Sequence, residues 1–379
     1  MASVESPAMR DASSRAARAR FGEDARVLDL ELVPIAHRVI RETTAWLARA
    51  TVSVRTRSEA ERRATFVVKS LRADAPSADA PHRVKFRPSD DERHPNYWRR
   101  EYDVYASGML DDLVAPLRAP IVYDAAIDAR IATLWLEDVA SQHAREWTDE
   151  RFFAIARALG EWQGAFSKRA PDAPAWLARG SLRMWVPVAG GSADAAAHRE
   201  GAFSTARIRA TLGTAFETRL RDAWRERDAT FAALDCEPHT IAHGDVWTSN
   251  VLAARDAADD VVVIDWSELG IAPLAHDLVN LVLDSTWMFG LAPERLGALE
   301  AAVLDGYAAG WRIGTGTDAS ATIARAYRAN ARLRFGLLAG PLVAQAADEE
   351  KRAALAARYE RPFDDVFETR AAVIRAALA

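Results

Sequence analysis

The chain has 379 residues, of which 50% are apolar, 27% charged and 8% aromatic. This is the composition of an ordinary globular protein, so it excludes a disordered chain, a collagen and a coiled coil, and the length allows two domains or one fold of two lobes. Forty-nine basic and 54 acidic residues give a net charge of −5, whereas nucleic-acid-binding proteins are typically basic. The single cysteine, Cys236, excludes a disulfide framework and a cysteine-rich metal site.

The first 21 residues are rich in Ala, Ser and Arg and lack the apolar core of a signal peptide. We therefore expect residues 1–25 to form a flexible tail. No run of about 18 uncharged apolar residues occurs in the chain, so the sequence predicts no membrane-spanning helix and no membrane partner. A cytoplasmic location is the expectation.

Residues 26–138 combine strand and helix patterns. β-Branched residues predict two neighbouring antiparallel strands at 50–55 and 64–70, and further strands at 120–123 and 131–139. A stretch rich in Pro, Asp and Ser at 73–96 predicts a long surface loop. Apolar residues then follow at helical spacing through 96–110. This region is expected to form a small lobe built around a β-sheet.

Residues 139–379 are mostly helical in pattern. Thr148 is a suitable N-cap for a helix whose first turn carries two acidic residues, and a second helical region covers 206–234. A β-hairpin is predicted from strands at 251–254 and 261–264, joined by a turn. The last hundred residues show helical patterns and no strand pattern. The chain is therefore predicted to be an α+β protein with a small sheet-bearing lobe and a larger helical lobe.

Polar residues flank the predicted hairpin. Asn250 enters its first strand and Asp265 leaves its second, so the two side chains are expected to meet at one end of the hairpin. An amide oxygen, a carboxylate and nucleotide phosphates form the all-oxygen shell that Mg²⁺ prefers. Asp245, five residues before Asn250, would then face an attacking hydroxyl as a proton acceptor or orienting carboxylate.

The motif His243-Gly244-Asp245 with Asn250, followed by Ile264-Asp265-Trp266, resembles the HGDxxxxN…IDW signature of the aminoglycoside phosphotransferase and choline-kinase-like family. Several positions must agree together, which makes the match specific. The resemblance implies a bilobal, protein-kinase-like fold, ATP as phosphoryl donor with GTP not excluded, Mg²⁺ as cofactor, and Asp245 as the catalytic base. It also implies that 26–138 form a nucleotide-binding lobe and 139–379 a catalytic and substrate-binding lobe.

The remaining parts of such a kinase can be sought separately. The chain has only four lysines, and Lys69 alone ends an apolar strand, where a cation for the nucleotide phosphates belongs. Together with Glu101 on the following helix, it resembles the family's lysine–glutamate pair. The segment LWLEDV resembles the interlobe hinge, which implies that backbone groups of Glu137 and Val139 bind the adenine edge.

The phosphate-binding loop departs from the kinase pattern, because no glycine occurs between Gly22 and Gly108. Protein kinases use glycines there since close approach of the backbone to phosphates leaves no room for a Cβ.

The function predicted is transfer of the ATP γ-phosphoryl group to a hydroxyl of a small molecule. The acceptor is left open among antibiotics, sugars, amino alcohols and related metabolites.

Two alternatives are weighed against this function. A protein kinase is disfavoured because IDW stands where DFG would be and no activation segment resembling A-P-E follows. A catalytically weak or silent nucleotide-binding module is suggested by the missing glycines.

In the motif itself, His243 is expected to support the loop backbone. Trp185, Trp287 and Trp311 belong either to an acceptor pocket or to the core.

Overall fold

The computed structural model describes residues 7–36, 42–57, 60–74, 86–169, 173–186, 203, 205–254 and 260–379. Its N-terminal part is an antiparallel sheet of five strands in the order β1-β2-β3-β6-β5. These strands are β1 (Arg26–Pro34), β2 (Thr44–Arg55), β3 (Glu61–Arg72), β5 (Val122–Asp128) and β6 (Ile131–Glu137). The predicted pair at 50–55 and 64–70 is confirmed, with β2 beginning earlier than predicted and β3 longer at both ends.

A helix lies on each face of this sheet. Helix α1 (Pro7–Phe21) covers one face with a stripe of small and apolar side chains that includes Met9, Ala12 and Ala16. Helix α2 (Arg100–Ala106) covers the other face, where Trp98 packs with Leu134. The expectation of a flexible tail was therefore wrong for residues 7–21, because their alanine-rich stripe is buried against the sheet. Residues 1–6 lie outside the described residues.

Side chains along β3 alternate between the two faces of the sheet, and this alternation determines which of them point towards the site. Phe66 and Val68 point to the face covered by α1, whereas Leu71 belongs to the cluster on the face covered by α2. Lys69 has the parity of Leu71 and is paired in register with Leu134 of β6. The strand therefore directs the lysine side chain towards α2.

Two small sheets follow in the second part of the chain. The predicted hairpin is confirmed as β9 (Val251–Ala253) and β10 (Val261–Val263), and its predicted turn at 255–259 lies outside the described residues. Strand β4 (Leu117–Arg118) pairs with β10 in parallel. The second sheet has the order β7-β11-β8, formed by Ala178–Arg179, Gly270–Pro273 and His239–Ala242. These short strands were not predicted.

Helices make up most of the rest. Helix α3 (Asp149–Ser167) begins as predicted, with the Thr148 hydroxyl accepting a hydrogen bond from the Arg151 N–H. The later helices are Ala206–Leu212, Phe216–Arg225, Arg227–Asp235, His276–Val279, Ser285–Trp287, Leu296–Thr315, Ser320–Arg334, Ala339–Ala346, Glu349–Tyr359 and Phe363–Ala377. A π-helical turn, Asn280–Asp284, joins two of them.

The predictions of secondary structure hold with changes in length. The helical pattern at 96–110 is realised by α2 alone, followed by a 3₁₀ turn, Met109–Asp112. Within the predicted loop at 73–96, residues 75–85 lie outside the described residues. The last hundred residues contain no strand, as expected. Among the described residues, none of the helices combines the length and apolar character that a membrane span requires.

Candidate functional site

The loop that carries Asp245 is held by a buried carboxylate. Asp277, 1% exposed, accepts hydrogen bonds from the backbone N–H groups of His243 (2.9 Å) and Gly244 (2.8 Å) and from the Gln163 side chain (2.7 Å). Asn280 donates to the Gly244 carbonyl at 2.7 Å. Burial raises the pKa of Asp277 to about 6, although these donors favour its ionised form. The loop is thus clamped from the helix that follows β11.

His243 supports the loop from below. Its Nδ1 accepts a hydrogen bond from the Asp245 N–H at 3.2 Å, and its Nε2 lies 3.0 Å from the Ile264 carbonyl. The ring is fully buried and lies against Trp266, with 4.5 Å between ring centroids. Burial lowers the pKa of His243 to about 4, so the imidazole is neutral at pH 7. This geometry agrees with the expected supporting role.

The hairpin brings Asn250 and Asp265 to the same end, as expected. Val251 of β9 pairs with Val263 of β10, and the Ile264 N–H donates to the Asn250 carbonyl at 2.9 Å. The Asn250 amide donates to both the backbone carbonyl (2.9 Å) and the carboxylate (2.8 Å) of Asp245, which leaves its side-chain oxygen for another ligand. Asp265 adopts a left-handed backbone with φ 62°, a strained conformation of the kind often found at functional sites.

Lys69 joins the two parts of the chain at the site. Its ammonium forms ion pairs with Glu101 at 2.6 Å and with Asp265 at 2.7 Å. Lys69 is 7% exposed and Glu101 is 1% exposed, so both charges are withdrawn from water. An ammonium has three donors, so a third direction remains for a ligand oxygen. The structure thus brings together the strand lysine, the helix glutamate and the aspartate of the hairpin.

Burial and neighbouring charges have opposite effects on the pKa values of Lys69, Glu101 and Asp265. Burial alone would lower the pKa of Lys69, but the carboxylates of Asp265 and Glu101 outweigh it and raise the pKa above its ordinary value. Burial raises the pKa of Glu101 to about 7 in spite of Lys69. For Asp265 the burial effect is outweighed by Lys69, and the pKa falls to about 2. Asp265 is therefore a permanent anion at physiological pH.

Asp245 has further charged neighbours that the sequence analysis did not single out. Arg334, in the last turn of the helix Ser320–Arg334, lies 3.9 Å from an Asp245 oxygen and 3.5 Å from an Asp284 oxygen. Burial raises the pKa of Asp245 well above its ordinary value, with Glu268 and Asp284 adding to the shift and Arg334 opposing it. The Asp245 side chain is 26% exposed, so a ligand can contact the carboxylate.

The predicted hinge residues, Glu137 and Val139, lie at the end of β6 and just after it. The Glu137 N–H donates to the Ile121 carbonyl at 2.8 Å, and its carboxylate pairs with Arg118 at 2.7 Å. Val139 follows β6 and is half-buried. Both the N–H group and the side chain of Glu137 are thus engaged within the protein.

The predicted tryptophans separate into two groups. Trp311 is 4% exposed and belongs to the main core. Trp185 is half-buried under the Arg334 guanidinium, 5.6 Å from ring centroid to the guanidinium carbon, and Trp287 lies under Arg370 at 4.6 Å. Arg334 and Arg370 fall beyond residue 290, where the sequence shows no motif, so only the three-dimensional structure connects them with Asp245.

The polar groups at the hairpin fit a divalent cation. Among the described residues, no group of three or more His, Cys, Asp or Glu side chains could hold a metal ion by itself. The Asn250 amide oxygen and the ionised Asp265 carboxylate are hard oxygen ligands, and Mg²⁺ commonly takes one or two protein groups, with phosphate and water oxygens completing its shell. The donor set therefore fits Mg²⁺ bound together with a nucleotide.

Solved structures resemble this chain to different degrees, and one of them shares its fold. A candidate aminoglycoside phosphotransferase from Ralstonia eutropha JMP134 superposes with a TM-score of 0.52 at 13% identity, covering 96% of this chain and 97% of that one. An amicoumacin kinase, solved with AMP-PNP, Ca²⁺ and its antibiotic, gives 0.45 at 13% identity over 89% and 88% of the two chains. The ethanolamine kinase of Plasmodium vivax gives 0.41 at 12% identity over 97% and 88%.

Comparison by sequence matches the chain to a family profile but to no curated protein. No curated protein matches the chain significantly. A profile of the phosphotransferase enzyme family, known as APH, matches residues 112–313, more than half of the chain. This span contains Asp245, Asn250 and Asp265, whereas Lys69 and Glu101 precede it. The bilobal kinase-like fold and the family match agree with the resemblance carried by the HGDxxxxN…IDW motif, and the chain belongs to the phosphotransferase enzyme family as a small-molecule kinase.

Proposed function

We propose that the protein transfers the γ-phosphoryl group of ATP to a hydroxyl of a small molecule, with Asp245 as the catalytic base. The observation that supports this most directly is that Asn250 contacts Asp245 while Asp265, at the same end of the hairpin, contacts Lys69. Phosphoryl transfer needs little covalent chemistry from the protein, so positioning and electrostatic stabilisation supply most of the catalysis. A cytoplasmic location, where ATP is available, is part of the proposal.

Asp245 orients the acceptor hydroxyl and takes its proton. The carboxylate is fixed by the Asn250 amide at 2.8 Å and is partly exposed, so a hydroxyl can approach it. Burial raises the pKa of this carboxylate, which strengthens it as a base, and Arg334, 3.9 Å away, opposes the rise and so favours the ionised form that accepts a proton. The clamped loop keeps this group in one orientation, and fixed orientation supplies a large share of the rate enhancement.

Lys69 neutralises phosphate charge. Glu101 holds its ammonium against the sheet at 2.6 Å, so the cation is in place before a nucleotide binds. This fixed charge offsets the lack of glycines between residues 22 and 108, since the lysine binds phosphate oxygens through its side chain and needs no close approach of the backbone. The backbone of Glu137 and Val139 binds the adenine edge.

Mg²⁺ would be held by the side-chain oxygens of Asn250 and Asp265. When bound, the ion supplies charge neutralisation of the β- and γ-phosphates. The protein's own contribution is to keep both oxygens at one end of the hairpin through the pairing of β9 with β10. GTP is the other possible donor, and the competition of ATP and GTP for the site measures the preference.

The test uses two substitutions with different expected effects. Asp245→Ala should lower kcat by on the order of 10² or more while Mg·ATP still binds, because the carboxylate acts on the acceptor. Asp265→Ala should remove measurable Mg·ATP binding in calorimetry, because a metal ligand and a partner of Lys69 are both lost. The matched control is Asp228→Ala, since that side chain is 81% exposed and far from the loop in sequence.

Activity is scored as transfer of labelled phosphate from ATP to a panel of hydroxyl compounds, with Asp245→Ala as the blank. Equal turnover by the wild type and Asp245→Ala would contradict the catalytic role. Unchanged nucleotide affinity in Asp265→Ala would contradict the metal role. Tight binding of Mg·ATP by the wild type, with no transfer to any acceptor, would favour a silent nucleotide-binding module.

A further inference from the structure

A basic cavity of about 340 Å³ lies between the segment that follows the Ser285–Trp287 helix and the end of the helix Glu349–Tyr359. Its wall combines three arginines with two aromatic rings and one acid, namely Arg145, Arg358, Arg361, Phe289, Tyr359 and Glu360. A concave surface lined mainly by one sign of charge concentrates the field and attracts ions of the opposite sign. The cavity is therefore suited to an anion.

Two of these arginines have no carboxylate within ion-pair distance in the described part of the chain, namely Arg145 and Arg361. Arg145 donates to the Phe289 carbonyl at 3.0 Å, which fixes its guanidinium at the rim. The Arg361 guanidinium lies over the Phe289 ring at 4.9 Å. Both arginines keep donors that an anion could use, since each guanidinium has five N–H groups.

A row of aromatic rings and guanidinium groups in contact leads inward from the cavity. Tyr359, in the cavity wall, lies under Arg370 at 4.4 Å, and Arg370 also covers Trp287 at 4.6 Å. Arg370 is only 4% exposed. The Trp287 ring in turn contacts Phe335, with 5.9 Å between centroids. The row thus passes from the surface into the molecule.

The same row ends at the catalytic carboxylate. Arg334 lies 5.8 Å from the centroid of Phe335 and 5.6 Å from that of Trp185, and its guanidinium is 3.9 Å from Asp245. The contacts therefore connect Asp245 with the cavity through the interior, since Phe335 is 2% and Arg370 4% exposed.

A second contact joins the cavity to the catalytic loop. The Thr248 N–H donates to the Ser285 hydroxyl at 3.0 Å. A Cβ on Gly290 would lie 2.3 Å from the Thr248 hydroxyl oxygen, so the chain after Phe289 packs directly on the loop between Asp245 and Asn250. The position of the cavity is therefore fixed relative to the site of phosphoryl transfer.

We propose that the acceptor is an alcohol that also carries an anionic group, a carboxylate or a phosphate, and that the cavity lined by Arg145, Arg358 and Arg361 binds this group while the hydroxyl faces Asp245. This inference rests on the proposed function. The Phe289 and Tyr359 rings that line the cavity favour an acceptor with an apolar or planar part next to its anionic group. A polycationic acceptor would be repelled by the three arginines.

The binding test uses four probes without a nucleotide: benzoate, phenyl phosphate, benzyl alcohol and benzylammonium. Calorimetry should show that the two anions bind the wild type, and that Arg361→Gln and Arg145→Gln each weaken this binding by on the order of tenfold or more, because a charge-assisted hydrogen bond is lost. The control, Arg328→Gln, changes an exposed arginine on another helix and should bind like the wild type. Equal affinity of the wild type and both variants for the anions, or preference for benzylammonium, would overturn the inference.

The transfer test compares matched acceptors, 4-(hydroxymethyl)benzoate with benzyl alcohol and glycerol 3-phosphate with glycerol. The anionic member of each pair should be phosphorylated with the higher kcat/KM, and Arg361→Gln should reduce that advantage by on the order of tenfold. Transfer to neutral or cationic alcohols that Arg361→Gln leaves unchanged would refute the anionic acceptor while the kinase activity stands. Anion binding that depends on Arg361, with no transfer to any alcohol, would support the cavity and refute the proposed function.

Discussion

Single residues at the site are held in charge states that their surroundings impose. His276 is one residue before the clamp Asp277 and is 3% exposed. Its Nδ1 lies 3.5 Å from the Asn330 side-chain oxygen, while the Asn330 amide donates to the Leu274 and Ala326 carbonyls. The Asn330 oxygen is therefore an acceptor, and Nδ1 of His276 carries the proton. Burial, assisted by Arg334, lowers the pKa of His276 to about 4.

This shift predicts a dependence of stability on pH. The unfolded chain protonates a histidine near pH 6.5, whereas the folded chain keeps His276 neutral down to about pH 4. The unfolded state therefore binds more protons in this window, and stability is lost as the pH falls through it. Between pH 7 and pH 5, the free energy of unfolding of the wild type should fall by about 2 kcal/mol more than that of His276→Gln.

Urea denaturation of both proteins at the two pH values measures this difference. The control is His143→Gln, which replaces an exposed histidine and should follow the wild type. Parallel pH profiles for the wild type and His276→Gln would show that His276 is not kept neutral by the fold.

Between elements, α3 and the helix Leu296–Thr315 approach each other closely. Glycines on both helices allow their backbones to meet, and at Gly310 a Cβ would lie 1.8 Å from the Arg157 carbonyl oxygen. At Gly306 it would lie 2.4 Å from the Phe153 carbonyl oxygen. Because α3 also carries Gln163, which donates to Asp277, this contact helps to place the clamp of the catalytic loop.

Gly310→Ala is therefore expected to destabilise the protein although alanine is the better helix former. The clash requires the two helices to separate, and we expect a net loss of about 1–3 kcal/mol in the free energy of unfolding. Gly297→Ala on the same helix is the matched control, because a Cβ there meets no atom within 4 Å. It should leave stability equal or slightly higher.

Chemical denaturation of the wild type and the two variants compares these effects. If Gly310→Ala were as stable as Gly297→Ala, the close packing of the two helices would not contribute to stability.

At the scale of the whole molecule, Arg100 ties the sheet-bearing part to the helical part. This residue is fully buried and donates to five backbone carbonyls. Glu92, His94 and Pro95 lie before α2, at 3.0, 2.6 and 2.8 Å. The two others belong to the second part of the chain, Trp176 at 2.9 Å and Ser267 at 3.3 Å. Ser267 is two residues after Asp265, so this bond also fixes the end of the hairpin.

Arg100→Lys should lower the free energy of unfolding by about 2–5 kcal/mol, because an ammonium cannot reach carbonyls on five separate residues and leaves buried acceptors unsatisfied. Calorimetry should also show that unfolding of the two parts becomes less cooperative. Arg99→Lys is the neighbouring control, since Arg99 is 43% exposed and pairs with Asp103, four residues along the chain.

A loss of stability that is no greater in Arg100→Lys than in Arg99→Lys would contradict this role. So would a single transition of undiminished cooperativity in the calorimetric scan.

The sequence by itself determined the fold class and the centre of the site. The local signals were strong there: β-branched runs for β2 and β3, a capping threonine for α3, and a hairpin whose ends carry Asn250 and Asp265. The roles of Lys69 and Glu101 stay predictions, but their contact at 2.6 Å is present as expected. Each of these features depends on residues close together in the chain or on one strand's alternation.

Only the tertiary structure decided the features that depend on distant contacts. The sequence of α1 has the composition of a flexible tail, and only its contact with the sheet shows that its alanines are buried. Arg334, Arg370 and Arg361 lie on helices without a motif, and they become relevant because the fold places the row of guanidinium and aromatic groups beside Asp245. The motif of the site is thus encoded locally, whereas the charged and aromatic surroundings of Asp245 are assembled from residues far apart in the chain, since packing alone determines which side chains meet.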